Sequence, residues 1–313
     1  MTTASNSHYI KRKKGLLYYL QRDRYLYFLL VLPVLYFFIF KYLPMYGVTI
    51  AFKEYNIFKG ILESEWIGLD NFKEIFGTKL FFQAVRNTFT LNFLDLLFGF
   101  PAPILLALLL NELRSQRYKK TVQTLLYLPH FLSWVIIGGI VFQIFSPSYG
   151  LINNLLKSIG LAPIPFLTSG PHWVGTYVGV GIWQNIGWGT IIYLAAIAGV
   201  PQELYEAAEM DGANRVKKIW HITLPCIRPT IVILFILNIG RIAMIGFERP
   251  FVMGNHMVRN YSEVISTYVY RVGLEAGRFS IATAVGLFQS VVSLIFLILA
   301  NMVAKRFGQR GIY

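Results

Sequence analysis

Six long apolar runs divide the chain, at about 25–48, 83–112, 121–145, 173–199, 229–248 and 281–304. Each is long enough for a helix to cross about 30 Å of hydrocarbon, which takes about 20 residues. None shows the apolar–polar alternation of a half-buried strand. An open sheet in lipid would also leave backbone groups without partners. The pattern therefore predicts an all-α polytopic membrane protein. Six transmembrane helices occupy 25–304, between an N-terminal segment 1–24 and a tail 305–313. Pro33 and Pro44 in the first run, Pro101 and Pro103 in the second and Pro129 in the third should each kink their helix, because proline removes an interior hydrogen bond. Gly175-x-x-x-Gly179 opens the fourth run, a spacing that lets two helix backbones approach closely.

Composition sharpens this picture. Of 313 residues, 55% are hydrophobic and 14% charged, with a mean hydropathy of +0.53. So few charges cannot cover a soluble globule. The 16% of aromatic residues excludes intrinsic disorder. A lone cysteine, Cys226, excludes a disulfide framework or a multi-cysteine metal site. The net charge of +14 sits between the apolar runs, which fits membrane topology rather than nucleic-acid binding. Segments 1–24, 113–120, 201–228 and 305–313 carry 17 Lys and Arg in 69 positions, against 9 in 93 for 49–82, 146–172 and 249–280. The positive-inside rule puts the first set, with both termini, in the cytoplasm and loop 49–82 outside. Arg249, Arg259, Arg271 and Arg278 in the loop 249–280 run against that trend. Residues 11–24 read either as an anchor at headgroup level or as a basic tail. No cleavable signal peptide is expected, since the first apolar run is too long.

Catalytic signatures are missing. The chain has no G-x-x-x-x-G-K-[ST] phosphate loop, no H-E-x-x-H and no G-x-S-x-G. His8, His130, His172, His221 and His256 lack ligand spacing. No catalytic or metal-binding residue is expected, and no cofactor in this chain. Uphill movement of a solute would draw on a partner or an ion gradient.

Residues 201–228 are too polar to span and too patterned for a loop. Pro201 suits a helix start, with Glu203 in the favoured first turn. Leu204, Ala207, Ala208 and Met210 form an apolar face. Asp211-Gly212 ends the helix, because glycine takes the left-handed conformation. A second helix should run from Ala213 or Asn214 to His221, with Arg215, Lys217 and Lys218 on a basic face, before Pro225 and Pro229 lead into the fifth span. Read on pattern alone, this is either a docking element or an amphipathic connector on the membrane.

Glu206-Ala207-Ala208-x-x-x-Gly212, then nine residues, then Ile222-x-Leu224-Pro225, resembles the EAA motif of ABC-importer permeases. Asp211-Gly212-Ala213 resembles the carbohydrate-uptake, maltose-type subfamily, and its oligosaccharide or polysaccharide branch in particular. Trp66-Ile67-Gly68-Leu69-Asp70-Asn71-Phe72 is similar to a segment of sugar permeases, and Asn87-Thr88, Leu128-Pro129 and Lys305-Arg306-Phe307-Gly308 resemble that family too. The resemblance implies a type I ABC importer transmembrane domain in a bacterial plasma (inner) membrane. Its partners would be a second homologous permease, as a heterodimer, two ATP-binding-cassette ATPase subunits that hold ATP and Mg, and an extracytoplasmic solute-binding protein. The EAA segment becomes the coupling helix in an ATPase groove. Glu206 would be its polar anchor, Ala207 and Ala208 the close contact, and Gly212 the bend.

Polar residues inside spans are costly in lipid and therefore candidates for a solute path. These are Asn92 and Asp95, Gln184 and Asn185, Asn238 and Arg241, and Gln289. Trp183 and Trp188 flank the amides of the fourth span. Aromatic faces beside amides suit a sugar; the alternative is that the amides bond between helices and the tryptophans pack. Asp95 is a candidate partner for Arg241. The reading that results is a non-enzymatic permease subunit of a binding-protein-dependent importer for an oligosaccharide or polysaccharide. A permease for a peptide or polyamine, or a secondary transporter or channel, are the alternatives.

Overall fold

The computed structural model describes residues 21–306. The basic stretch 11–20 and the tail from Phe307 lie outside the described residues. Residues up to Ile50 form one compact unit and those from Ala51 a second. In the first, helix Arg24–Phe37 passes through a π-helical turn, Phe38–Tyr42, into a 3-10 helix, Leu43–Phe52, and Arg24–Phe37 buries none of its side chains.

Five helices among the described residues are long and apolar enough to cross a membrane: Arg24–Phe52, Lys79–Asn111, Gly170–Ala198, Arg215–Gly240 and Phe279–Val303. Counted as one broken span, the bent pair Gln116–Phe131 and Trp134–Phe145, whose pieces meet at 106°, makes a sixth, third in chain order. The kink expected at Pro129 within 121–145 is thus present, as a full break of the helix. Pro129 sits in a 3-10 turn at the break, Leu132 is extended, and Ser133 caps the second piece by accepting from Ile136 N–H.

The prolines act locally and with a pattern. Four π-helical turns occur among the described residues, and three of them, Phe38–Tyr42, Asp95–Gly99 and Ile219–Thr223, end two residues before Pro44, Pro101 and Pro225. In each, the carbonyl that the proline cannot satisfy belongs to the central residue of the turn: Phe40, Leu97 or His221. Widening the turn moves that carbonyl clear of the ring and keeps the helix continuous. This corrects the expected separate helix up to His221 and the fifth span at 229–248. One helix runs from Arg215 to Gly240, and residues 241–247 already lie in turns and extended chain.

Four apolar clusters pack the second unit, the smallest joining Ile236 of the fifth span to Ala300 of the sixth. Leu91, Ile137, Trp173 and Tyr177 join the second, third and fourth spans. Ile75, Phe81, Ile265 and Val285 join the segment after the first span to the second and sixth. Ala107, Leu108, Tyr193 and Ile227 hold the other ends of the second, fourth and fifth. Gly187 permits a close approach of backbone to backbone, since a Cβ there would collide with the carbonyl of Leu126. The expected close packing at Gly175 and Gly179 is not made within the described residues: both face open space in an apolar groove of about 750 Å³.

The segment 49–82 folds on its own motif. Strands Lys53–Glu54 and Glu65–Trp66 pair antiparallel, with Lys53 opposite Trp66. Trp66 stacks on Phe52 at 5.7 Å, and Asn71 donates to the carbonyls of Ala51 and Lys53. Asn87 and Thr88 tie the second span to the segment 249–280. Asn87 donates to the carbonyls of Asn260 and Glu263, and Thr88 accepts from Ile265 N–H. The loop 249–280 is therefore a packed element. Its four arginines are all ion-paired: Arg249 with Asp95, Arg259 and Arg271 with the buried Glu263, and Arg278 with Glu74.

Candidate functional site

A cavity of about 430 Å³ opens where three spans converge. The second span contributes its π turn, from Asp95. The fourth contributes Asn185 and Trp188. The fifth contributes Asn238 and Arg241 at the point where its helix ends. These five sequence candidates, with Asn92, line one space. The other three do not. Gln184 is buried and accepts from Asn185, Gln289 donates to the carbonyl of Ala243, and Trp183 faces the separate apolar groove beside Gly175.

The charges in the cavity are arranged differently from the expected Asp95–Arg241 pair. Asp95 is bound by Arg249, at 2.7 Å and 3.3 Å to its two carboxylate oxygens. Arg249 also donates to the carbonyl of Tyr177, lies 3.6 Å from the centre of the Tyr177 ring and 5.4 Å from that of Trp134. Gly181 leaves room for the guanidinium, which a Cβ would strike. The Arg249 side chain is 12% exposed and that of Asp95 29%. Asp95 is thereby consumed, and Arg241 has no carboxylate within salt-bridge distance among the described residues. Sequence reasoning counted Arg249 as a loop charge, and its distance of 154 residues from Asp95 gave no local signal.

Amide groups supply the rest of the lining. Asn92 donates to the carbonyl of Ile242 and fixes the end of the fifth span. Asn185 and Asn238 each donate back to a carbonyl four residues earlier in their own helices. Their carbonyl oxygens stay free as acceptors toward the cavity, since no hydrogen bond to them is formed among the described residues. Trp188 lines this space and stacks parallel to His130 at 4.7 Å. Among the described residues the arrangement offers a cation without a carboxylate partner, together with amides and an indole.

The segment 201–228 lies at the other end of the fifth span. Helix Gln202–Met210 starts at Pro201 and ends on Gly212, whose φ is +70°. Ala213 N–H bonds the carbonyl of Ala208, and Gly212 N–H that of Glu209, the two bonds of a Schellman cap. Asn214 then caps the fifth helix by accepting from Lys217 N–H. Glu206, Ala207 and Met210 are exposed, whereas Tyr205 and Ala208 turn toward the chain. Ala208 therefore leaves the apolar face expected for it beside Ala207. Asp211 is exposed at the bend beside Ala213, Ile222 is half-buried, Leu224 packs on the cluster around Tyr193, and Pro225 is exposed after the π turn. Lys218 bonds Glu209 at 2.6 Å and holds its carboxyl below the usual range, chiefly through that hydrogen bond.

Comparison with known proteins completes the description. Residues 23–309 match the family described as binding-protein-dependent transport system inner membrane component. Protein LplB of Bacillus subtilis (strain 168) is 50% identical, over 94% of this chain and 92% of the relative. The polygalacturonan/rhamnogalacturonan transport system permease protein YteP of the same organism is 48% identical, over 97% and 94%. A chain in the crystal structure of a bacterial alginate ABC transporter, in complex with alginate pentasaccharide-bound periplasmic protein, superposes with a TM-score of 0.88. It shares 43% identity, over 96% of this chain and all of that one.

Proposed function

We propose, from the premise that this chain belongs to the family of binding-protein-dependent transport system inner membrane components, that its cavity is half of the solute path of an ABC importer and that segment 201–228 is the docking element for an ATPase subunit. The chain is a multi-pass permease of an oligosaccharide or polysaccharide importer. One observation carries the assignment of the two sites: the helix Arg215–Gly240 bears the docking element at one end and cavity residues Asn238 and Arg241 at the other. A push on the first is delivered to the second through a single rigid body.

In this reading the chain is not catalytic. ATP and Mg are held by two partner ATPase subunits, a second permease completes the path, and an extracytoplasmic binding protein delivers the solute. ATP drives the change of state through its different affinity for the inward- and outward-facing forms. Both termini are cytoplasmic. The orientation rests on the density of Lys and Arg in the connections, 17 in 69 positions against 9 in 93 with the four arginines of 249–280 included.

The solute we infer is an acidic saccharide. Arg241 faces the cavity without a carboxylate of its own, and two similar proteins are named for polygalacturonan and alginate. A charge-assisted hydrogen bond contributes about 1.5–3 kcal/mol, or roughly ten- to 150-fold in affinity. In proteoliposomes holding the complete complex, Arg241→Gln should raise KM for an acidic oligosaccharide by that factor and leave a neutral one of equal length unchanged. Equal KM for both in wild type and variant would remove Arg241 from recognition.

A further inference from the structure

We infer that Tyr205, Glu209, Lys218 and Thr223 form a latch that makes the docking helix and the fifth span one moving body throughout the transport cycle. The inference rests on the proposed docking role of segment 201–228.

The geometry is that of a hairpin closed by side chains. The docking helix ends on the Gly212 bend, and the fifth helix starts at Arg215 and runs back beside it. A bend of four residues, with glycine at its centre, is by itself compliant. Two contacts remove that compliance. Near the bend, Lys218 Nζ donates to Glu209 Oε1 at 2.6 Å, and the Lys218 side chain is 18% exposed. Farther from it, the Tyr205 hydroxyl bonds the Thr223 hydroxyl at 2.9 Å, and Thr223 is buried. Two ties at different heights fix an angle, which one tie does not.

The placement of Thr223 adds a reason. It is the last residue of the π turn that Pro225 imposes, so the turn is widened where the tie is made. A tie at that level bears on the helix where its α-type hydrogen-bond ladder is interrupted. Leu224, next along, packs on the cluster of Ala107, Tyr193 and Ile227, which passes the motion to the second and fourth spans. Tyr205, Lys218 and Thr223 are half-buried or buried, off the exposed face of Glu206, Ala207 and Met210, and the exposed Glu209 is left unchanged in the first variant below. Losing the latch should therefore leave docking intact and impair what docking transmits.

The readout is the amount of solute moved per ATP hydrolysed, in proteoliposomes with the complete complex. Tyr205→Phe with Lys218→Met should retain the ATPase subunits and binding-protein-stimulated hydrolysis. Transport per ATP should fall about ten-fold, within the range of coupling between two sites. Glu209→Lys with Lys218→Glu should recover most of the loss seen in either single variant. A second measurement does not depend on tolerance of those substitutions. With the exposed Cys226 changed to Ser, Glu209→Cys and Lys218→Cys are joined by a short bifunctional thiol reagent cleavable by reductant. A body that stays closed transports when joined and loses coupling when the link is reduced. Transport abolished by the link means that the two parts must separate, and unchanged transport per ATP in the double variant means that the ties transmit nothing. Either result overturns the latch. Failure of the unmodified complex to retain ATPase subunits would instead overturn the docking reading.

Discussion

Removing either partner of the Asp95–Arg249 pair should destabilise the protein by more than a surface ion pair would, and the two removals should not add. Breaking a buried pair from one side costs about 3–5 kcal/mol, because the charge left behind is uncompensated. The structure moves each variant away from that figure in a definite direction. Asp95→Asn strands a guanidinium that is 12% exposed but keeps the Tyr177 carbonyl and two aromatic faces. Its loss should be about 2–3 kcal/mol. Arg249→Met leaves a carboxylate that is 29% exposed and lines the cavity, where water reaches it. Against that relief it gives up the ring contacts, about 0.5–2 kcal/mol, and the backbone bond, about 1 kcal/mol. Its loss should be about 3–4 kcal/mol in total. The double variant should be more stable than the sum of the singles by about 1.5–3 kcal/mol, the range for residues in direct contact. Reversible unfolding in mixed micelles, followed by tryptophan fluorescence, measures all four corners of the cycle. Additivity within about 0.5 kcal/mol would refute the reasoning and reduce the pair to a contact without energetic consequence.

Other consequences are smaller or more local. Gly187→Val drives a branched side chain into the carbonyl of Leu126, so the variant should reach the membrane in reduced amount, whereas Gly175→Val, in open space, should accumulate like wild type on immunoblots. Arg278 holds the Glu74 carboxyl below its usual range, first through their hydrogen bond. That stability is complete above the ordinary carboxylate pKa and is lost as pH falls through the depressed value. The thermal midpoint should therefore drop more between pH 7 and pH 4 for wild type than for Glu74→Gln, and parallel curves would exclude the effect. Single cysteines in 201–228 should react with impermeant reagents from the cytoplasmic side and those in 49–82 from outside, with the reverse pattern contradicting the orientation.

Much of the architecture was legible in runs of apolar residues, because the hydrocarbon thickness leaves little freedom in span length. Three proline positions also marked where helices depart from α geometry, at the π turns before Pro44, Pro101 and Pro225, whereas Pro33 and Pro229 sit inside α-helix without such a turn. The angle at Pro129 was not legible. A proline removes a bond, but the 106° bend depends on Leu132 and Ser133 and on the fourth span packed against Leu126. Asn185, Trp188, Asn238 and Arg241 came together because polar residues in lipid must face something polar. The same rule could not separate them from Gln184 and Gln289, whose partners are protein groups. Arg249 was missed for the opposite reason. A charge near a span end reads as a topology signal, and its descent to Asp95 is a fact of tertiary packing.

The central claim is that ATP-driven saccharide movement passes through this chain by way of the docking helix. The most direct measurement is ATP-dependent uptake of labelled oligosaccharide by proteoliposomes. These carry the chain with its partner permease, ATPase subunits and binding protein, and compare wild type with Glu206→Ala and Gly212→Val. Glu206 is exposed with its face free, and Gly212 holds a φ of +70° that a β-branched residue resists. A lost contact at such an interface costs about 2–5 kcal/mol. The account predicts normal insertion, loss of bound ATPase subunit and at least a ten-fold fall in uptake for both variants. Full uptake with full ATPase retention in both would contradict it.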